Sequence, residues 1–328
     1  MSRRMADDLK RIIGIDNKSR PLEKRDPLPR VMGGYGVSII EGETQPVEPV
    51  VAAMPDVYVA FTYGLGLKLL ESESYLMSAS ESWNMYDIWH YQSKIAVHSG
   101  DTWGSYSDPD NFHSKITKNG VTIQNYQFDY AFGDSSCCAN ANFVFVVAPD
   151  GELENLTLFT IDPINDVVLS TQVIHNTSYN YSLAIAAATD NYIHIFVMAF
   201  EGQHHLIYDI STGQITDTLL GYGVRYESAS AWGSEVAVVA ETFPDNEVHI
   251  FDEGSATMKT QVAVYANNPP DLIGCGITPD YLICTFLNSR EVKLYDRSAM
   301  SWSSLGLHPN ESATGGSVTL DQVPRQVD

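Results

Sequence analysis

Apolar residues along this chain fall into short runs broken by clusters of Gly, Pro, Asn, Asp and Ser, the pattern of successive β-strands. From about residue 136 onward the runs repeat roughly every 45 residues. Four segments align. Each opens with a run of small residues: SCCANAN (136–142), LAIAAATD (183–190), SASAWGS (228–234) and LIGCGITP (272–279). Each continues with a strongly apolar run: FVFVVAPD (143–150), YIHIFVMAFEG (192–202), EVAVVAETFPD (235–245) and YLICTFLNS (281–289). A third run ends on an aspartate (LTLFTID, HLIYDI, VHIFDE, VKLYDR), so that Asp162, Asp209, Asp252 and Asp296 lie 47, 43 and 44 residues apart. Short fourth runs follow: VVLSTQVI, QITDTLL, KTQVAVY and SWSSLGL.

Four strands in about 45 residues is the period of one blade of a β-propeller. The composition of each run has a physical reason. First strands line the central axis, where blades crowd together and only Ala, Gly, Ser or Cys fit. Second strands are covered on both faces by neighbouring sheets and are therefore almost continuously apolar. The repeating aspartate, followed by Ser, Thr or Gly, is suited to bonding the backbone of the turn into the last strand. Two weaker blades precede these four. Residues 82–127 offer WNMYDIWHY, SKIAVHSG, FHSKITKNG and VTIQNYQ. Residues 57–79 offer VYVAFTYG, LGLKLLES and YLMSA, read as strands two to four of a blade that lacks its first. GSVTLDQV (316–323) can supply that strand and close the ring, leaving no exposed end. The expected fold is all-β, six four-stranded blades over residues 56–328, or seven if the region 82–135 holds another sheet.

Over residues 57–323 the chain resembles the WD40 and PQQ-type propeller group, with LIYDISTGQI the nearest single match. It lacks the Gly-His and Trp-Asp dipeptides of WD40 repeats, so the resemblance implies an architecture and no particular activity.

Residues 1–55 follow other rules. ADDLKRIIG has the pattern of one or two helical turns, with Leu9, Ile12 and Ile13 on one face. RPLEKRDPLPR, rich in proline, then favours extended backbone. Such a segment buries too little surface to fold alone, and it reads as an N-terminal arm.

Charge separates the same two parts. Residues 1–30 hold nine Lys and Arg against five Asp and Glu, while residues 31–328 hold ten against thirty-six. The acidic body would repel nucleic acid and anionic membrane surfaces. No apolar run reaches the roughly 18 residues of a membrane span. The first residues show no apolar core or small-residue cleavage site, so no signal peptide is expected. Of four cysteines, Cys137 and Cys138 are adjacent and point to opposite faces of a strand, whereas Cys275 and Cys284 read as small buried hydrophobes. A Cys275–Cys284 bridge across neighbouring strands stays open at this point.

Motifs for chemistry are weak. HSGDTWGSY (98–106) resembles the sialidase Asp-box but has the wrong glycine spacing and no second copy. SDPDN (107–111) offers three oxygens without the Gly and Glu of a calcium loop. His204 and His205 are adjacent in a strand and face opposite ways. No nucleophile elbow, phosphate loop or dinucleotide fingerprint occurs, and no catalytic residue, metal or cofactor is expected. Trp83, Trp89, Trp103, Tyr106 and Trp302 are candidate sugar-stacking platforms, with packing between blades as the alternative. The leading expectation is an assembly protein that docks on other structural proteins through Arg3, Arg4, Leu9, Lys10, Arg11, Ile12, Ile13, Arg20, Lys24 and Arg25. In layout, residues 1–50 ahead of a compact acidic β-domain resemble structural proteins of tailed-phage virions, which implies a tail, baseplate or fibre-attachment role and a virion location. A carbohydrate- or receptor-binding propeller is the alternative from another class, and a glycan hydrolase or lyase a third.

Overall fold

A computed structural model describes residues 54–61, 65–84, 95–108, 113–127, 135–149, 155–176, 183–199, 202–242, 246–264, 272–286, 289–311 and 315–323. The arm residues named above lie outside this set. The propeller falls within the unit Ala52–Asp328.

Among the described residues the strands form six four-stranded antiparallel sheets, the blades of a propeller. Blade 1 contains β1 (Val57–Phe61), β2 (Leu65–Leu69) and β3 (Glu81–Asn84), and its inner strand is β24 (Gly315–Leu320) from the far end of the chain. Blade 2 is β4 (Ile95–His98), β5 (Asp101–Asp108), β6 (His113–Lys118) and β7 (Val121–Gln127). Blade 3 is β8 (Ser136–Ala139), β9 (Val144–Pro149), β10 (Asn155–Asp162) and β11 (Val167–Asn176). Blade 4 is β12 (Leu183–Ala188), β13 (Tyr192–Ala199), β14 (Gly202–Asp209) and β15 (Ile215–Gly221). Blade 5 is β16 (Arg225–Trp232), β17 (Glu235–Glu241), β18 (Asn246–Asp252) and β19 (Met258–Ala263). Blade 6 is β20 (Leu272–Ile277), β21 (Tyr281–Phe286), β22 (Glu291–Asp296) and β23 (Ser301–Leu307).

The ring closes as the sequence suggests. β24 pairs with β1 through Val57↔Leu320, Tyr58↔Thr319 and Val59↔Val318. Just beyond it, Asp321 bridges to Val97 of blade 2, and its carboxylate accepts the Gly100 N–H at 2.7 Å. Last strand and first strands therefore share one blade, and its neighbour is pinned to the same segment.

Two readings of the early blades are corrected. In blade 2 the first strand is IAVH (95–98), not WNMYDIWHY, and DTWGSYSD, which resembled an Asp-box, is the second strand. In blade 1, YLMSA is not a strand. Its last three residues, Met77–Ala79, form a short 3-10 turn that follows another at Glu71–Glu73, with Ser74 and Tyr75 between them at φ 53° and 60°, and the outer strand is ESWN (81–84). Tyr75 points inward there, and its hydroxyl donates to the Pro55 carbonyl at 3.0 Å.

Apolar seams between blades hold the ring. Phe145, Leu158, Ala186 and Ile195 pack blade 3 on blade 4, and Val239, Ile250, Ile277 and Phe286 pack blade 5 on blade 6. Each fully buried Val, Leu, Ile or Phe contributes about 1.5–3 kcal/mol, more than a typical net hydrogen bond of about 1 kcal/mol. The small first strands are small because there is no room. A Cβ on Gly274 would lie 2.1 Å from the Gly316 carbonyl oxygen, and one on Gly276 would lie 2.7 Å from Val318.

The turns behave as their sequences predict in three blades of the four. Asp162 accepts backbone N–H groups from Ile164 and Asn165, Asp209 from Ser211 and Thr212, and Asp296 from Ser298 and Ala299. Side-chain bonds from Asn165 to Asp162, from Ser211 to Asp209 and from Ser298 to Asp296, with those backbone bonds, hold all three carboxyls below their ordinary range. Asp252 differs: its carboxylate pairs with Lys259 at 2.7 Å. At the outer edge, bulges interrupt the pairing of β7, β11, β15, β19 and β23 with their neighbours. Such bulges twist an edge away from further pairing.

Candidate functional site

Two places in the ring gather polar groups: the axis and the seam between blades 4 and 5. The axis is lined by first strands, with Ile95, Cys138, Ala187, Ala231 and Leu320 among its walls, around about 290 Å³ of space that includes open solvent. The C-terminal segment crosses it. The Gln322 side-chain amide donates to the Ala231 carbonyl at 3.0 Å, joining the end of blade 1's inner strand to blade 5. The Asp321 carboxylate beside it is buried, accepts N–H bonds from Gly100 and Val323, and has its pKa raised by that burial.

The second place is a buried set of histidines and aromatic rings. His194 on β13 and His205 on β14 face blade 5, with Nδ1 of His194 3.0 Å from Nε2 of His205. His205 stacks on Phe196 at 4.3 Å and meets Phe251 edge-on at 4.8 Å. From blade 5, the Gly254 N–H donates to His194 Nε2 at 3.3 Å. The Tyr226 hydroxyl lies 3.2 Å from Nδ1 of His249, whose Nε2 is 2.9 Å from a Glu247 oxygen. Burial pushes His194 down to about 4, and burial with the neighbouring His194 pushes His205 down to about 3. His204, as its alternation with His205 requires, points the other way. Its Nδ1 lies 2.8 Å from Asp217 of β15, whose second oxygen is 3.3 Å from His175 of blade 3.

Sequence reading did not find this cluster, although one signal was present. His194 sits inside the apolar run YIHIFV, where a polar side chain must be buried on one face or the other. Its partners come from strands distant in sequence, and no local pattern marks them.

The aromatic candidates fall differently. Trp103 is fully buried in the blade 2–3 seam, 5.2 Å from the Lys118 ammonium, so it offers no face to a sugar. The reason is its place on a second strand, covered on both sides. Trp83 is half-buried: its indole N–H donates to Thr102 of blade 2 at 2.9 Å, and its ring meets Tyr58 edge-on at 5.2 Å. Trp302, also half-buried, donates to the Ala263 carbonyl of blade 5 at 3.1 Å and packs on Tyr295. All three join neighbouring strands or blades. Trp89 and the Tyr106 side chain lie outside the described residues. The four cysteines are buried free thiols, with Cys275 directly opposite Cys284 across β20 and β21. Among the described residues no group of three or more His, Cys, Asp or Glu is placed to hold a metal ion, and no helix is long and apolar enough to cross a membrane.

The architecture is that of a six-bladed β-propeller. No protein-family profile matches the chain, and no curated protein sequence does. Solved structures do share the fold. A chain of a nidogen/laminin complex is 10% identical with a TM-score of 0.55, over 81% of this chain and 97% of that one. TolB from Acinetobacter baumannii is 10% identical with a TM-score of 0.52, over 83% of this chain and 67% of its own. At such identity the likeness is one of fold alone.

Proposed function

We propose that this protein is a non-enzymatic binding and assembly propeller, tethered by residues 1–55 and recognising protein partners on the outer surfaces of its ring. The observation that carries the reading is the crossed axis. Small side chains narrow the channel and Gln322 spans it, so recognition falls to the two faces and the rim. The division of charge supports a tether distinct from the body, because basic residues concentrate in 1–30 and acidic ones in 31–328. The nidogen/laminin structure is an instance of this fold in a protein complex. The finer placement, a tail, baseplate or fibre-attachment component of a tailed-phage virion made in the host cytoplasm, rests on the layout of residues 1–50 and on no feature of the propeller.

Deletion of residues 1–50, which spares Met54 and the Pro55 carbonyl that accepts from Tyr75, tests the reading, with incorporation measured by quantitative mass spectrometry of gradient-purified assemblies. The deleted protein should keep its melting temperature and be lost from the assembly. Incorporation at full stoichiometry would refute the tether. Specific glycan-array binding by the deleted protein would move the function to carbohydrate recognition.

A further inference from the structure

The histidine pair between blades 4 and 5 has a hydrogen-bond order fixed from one end. Gly254 N–H donates to Nε2 of His194, so that nitrogen is an acceptor and the His194 proton sits on Nδ1. That proton is donated to Nε2 of His205, 3.0 Å away. His205 must then carry its own proton on Nδ1, and this atom is buried with no hydrogen-bond partner. The chain of donors and acceptors ends in an orphan N–H under Phe196 and Phe251.

We propose that the His194–His205 pair is an acid-sensitive latch on the blade 4–5 seam, closed while both rings are neutral and opened by a proton on either. A proton on His205 Nε2 would set two N–H donors against each other across 3.0 Å. A proton on His194 Nε2 would do the same against the Gly254 N–H. Among the described residues neither cation has a buried anion to meet. On blade 5 the facing groups are the Tyr226 hydroxyl, His249, Glu247 and Glu253. Glu247 is engaged by His249 and Gln261, and Glu253 by Asn191. On blade 4, Tyr192 lies over Gly254 and brings no negative charge. The seam itself is apolar, with Ile185, Phe196, Tyr226 and Phe251 at its centre, so opening exposes a defined hydrophobic strip.

The sign follows from burial. Both rings titrate well below the ordinary histidine value in the folded state. The open seam therefore binds protons that the closed one refuses. Closure is favoured above about pH 6.5 and is progressively lost as pH falls toward the folded-state values.

Hydrogen exchange of the full chain, followed by mass spectrometry from pH 6 to pH 4.5 and corrected for intrinsic rates, tests this. Peptides from β13, β14, β16 and β18 should lose protection before those of blades 1 and 2. Their opening constant should rise about 100-fold per pH unit, two protons per opening, and only about tenfold in His205→Gln, whose side-chain carbonyl can still accept from His194. Equal slopes in the two proteins, or simultaneous loss of protection in every blade, would overturn the latch. Should His205→Gln not fold, imidazole NMR of the unmodified protein decides. Two rings that stay neutral until the seam opens support the proposal, and ordinary titration near pH 6.5 with the fold intact overturns it.

Discussion

Gly274→Ala adds one methyl group at the tightest described point of the ring. The new Cβ would stand 2.1 Å from the Gly316 carbonyl oxygen and 2.6 Å from Thr285 Oγ1. Those two atoms are themselves hydrogen-bonded, with the Thr285 hydroxyl donating to the Gly316 carbonyl. The methyl cannot be accommodated by rotating a side chain, because its nearest neighbour is backbone of the closing strand β24. Either β24 moves outward from β20 or the Thr285–Gly316 bond breaks. Overpacking of this kind costs about 1–3 kcal/mol, and a buried hydrogen bond lost with it adds about 1 kcal/mol. A total of about 3 kcal/mol should lower the melting temperature by about 5 °C in a domain this large. Gly223→Ala is the matched control, since its Cβ meets nothing within 4 Å and its backbone is not left-handed. Thermal melts by circular dichroism, with urea midpoints as a second measure, separate the two. If both variants melt within 1 °C of the parent, the packing of the closing strand against blade 6 is wrong.

Removing residues 315–328 should destabilise more severely. Val318 and Leu320 alone bury surface worth about 3–6 kcal/mol, much of the 5–15 kcal/mol of a typical domain, so the truncated protein should aggregate or melt far below the parent in light-scattering and calorimetric scans. Tyr75→Phe removes the hydroxyl that donates to the Pro55 carbonyl and bonds the Thr278 side chain, and should cost about 1–2 kcal/mol by urea unfolding, with the ring packing retained. The cysteines should be inert in the native state. Burial pushes Cys137 up to about 12 and, with the adjoining Cys275 thiol, raises Cys284, so a thiol reagent at pH 8 should label none until the protein unfolds.

The last four blades were legible because their second strands, such as EVAVVAE and YLICTF, are covered on both faces and so carry the signal in every residue. β5 lacks that signal. Its buried Ser105 is satisfied by Ser135 rather than by apolar packing, and among its described side chains the large apolar anchor is Trp103. Polar satisfaction in place of hydrophobic cover made a central strand look like a loop. YLMSA failed in the opposite direction. Tyr75, Leu76 and Met77 form an apolar run that imitates a strand, but Leu76 is exposed and left-handed backbone at Ser74 and Tyr75 breaks the pleat. Ring closure by GSVTLDQV was legible because a blade with three strands demands a fourth. The contacts of Asp321 and Gln322 were not, since their partners Gly100 and Ala231 lie far back in the sequence.

The meander within each blade also gives the ring two unlike faces. Hairpins from first to second strands and turns from third to fourth lie on one face, and outside the 70–80 segment of blade 1 they are short. Thr189 and Thr278 each close their hairpin onto the residue three further on, and Asp162, Asp209 and Asp296 cap the outer turns. Connections from second to third strands, and from blade to blade, depart from the opposite face. The chain enters the ring at Asp56, just before a second strand, and leaves it at Asp321, just after a first strand, so both passages are on the hairpin face. They are tied together there, with the Asp321 N–H donating to the Asp56 carbonyl and the Glu71 N–H to the Asp56 carboxylate. If residues 1–55 act as the tether proposed above, the pull at Asp56 falls on the closing strand and its neighbour, not on a single hairpin. Load applied there is shared between blades 1 and 2 through β24 and the Asp321–Gly100 bond.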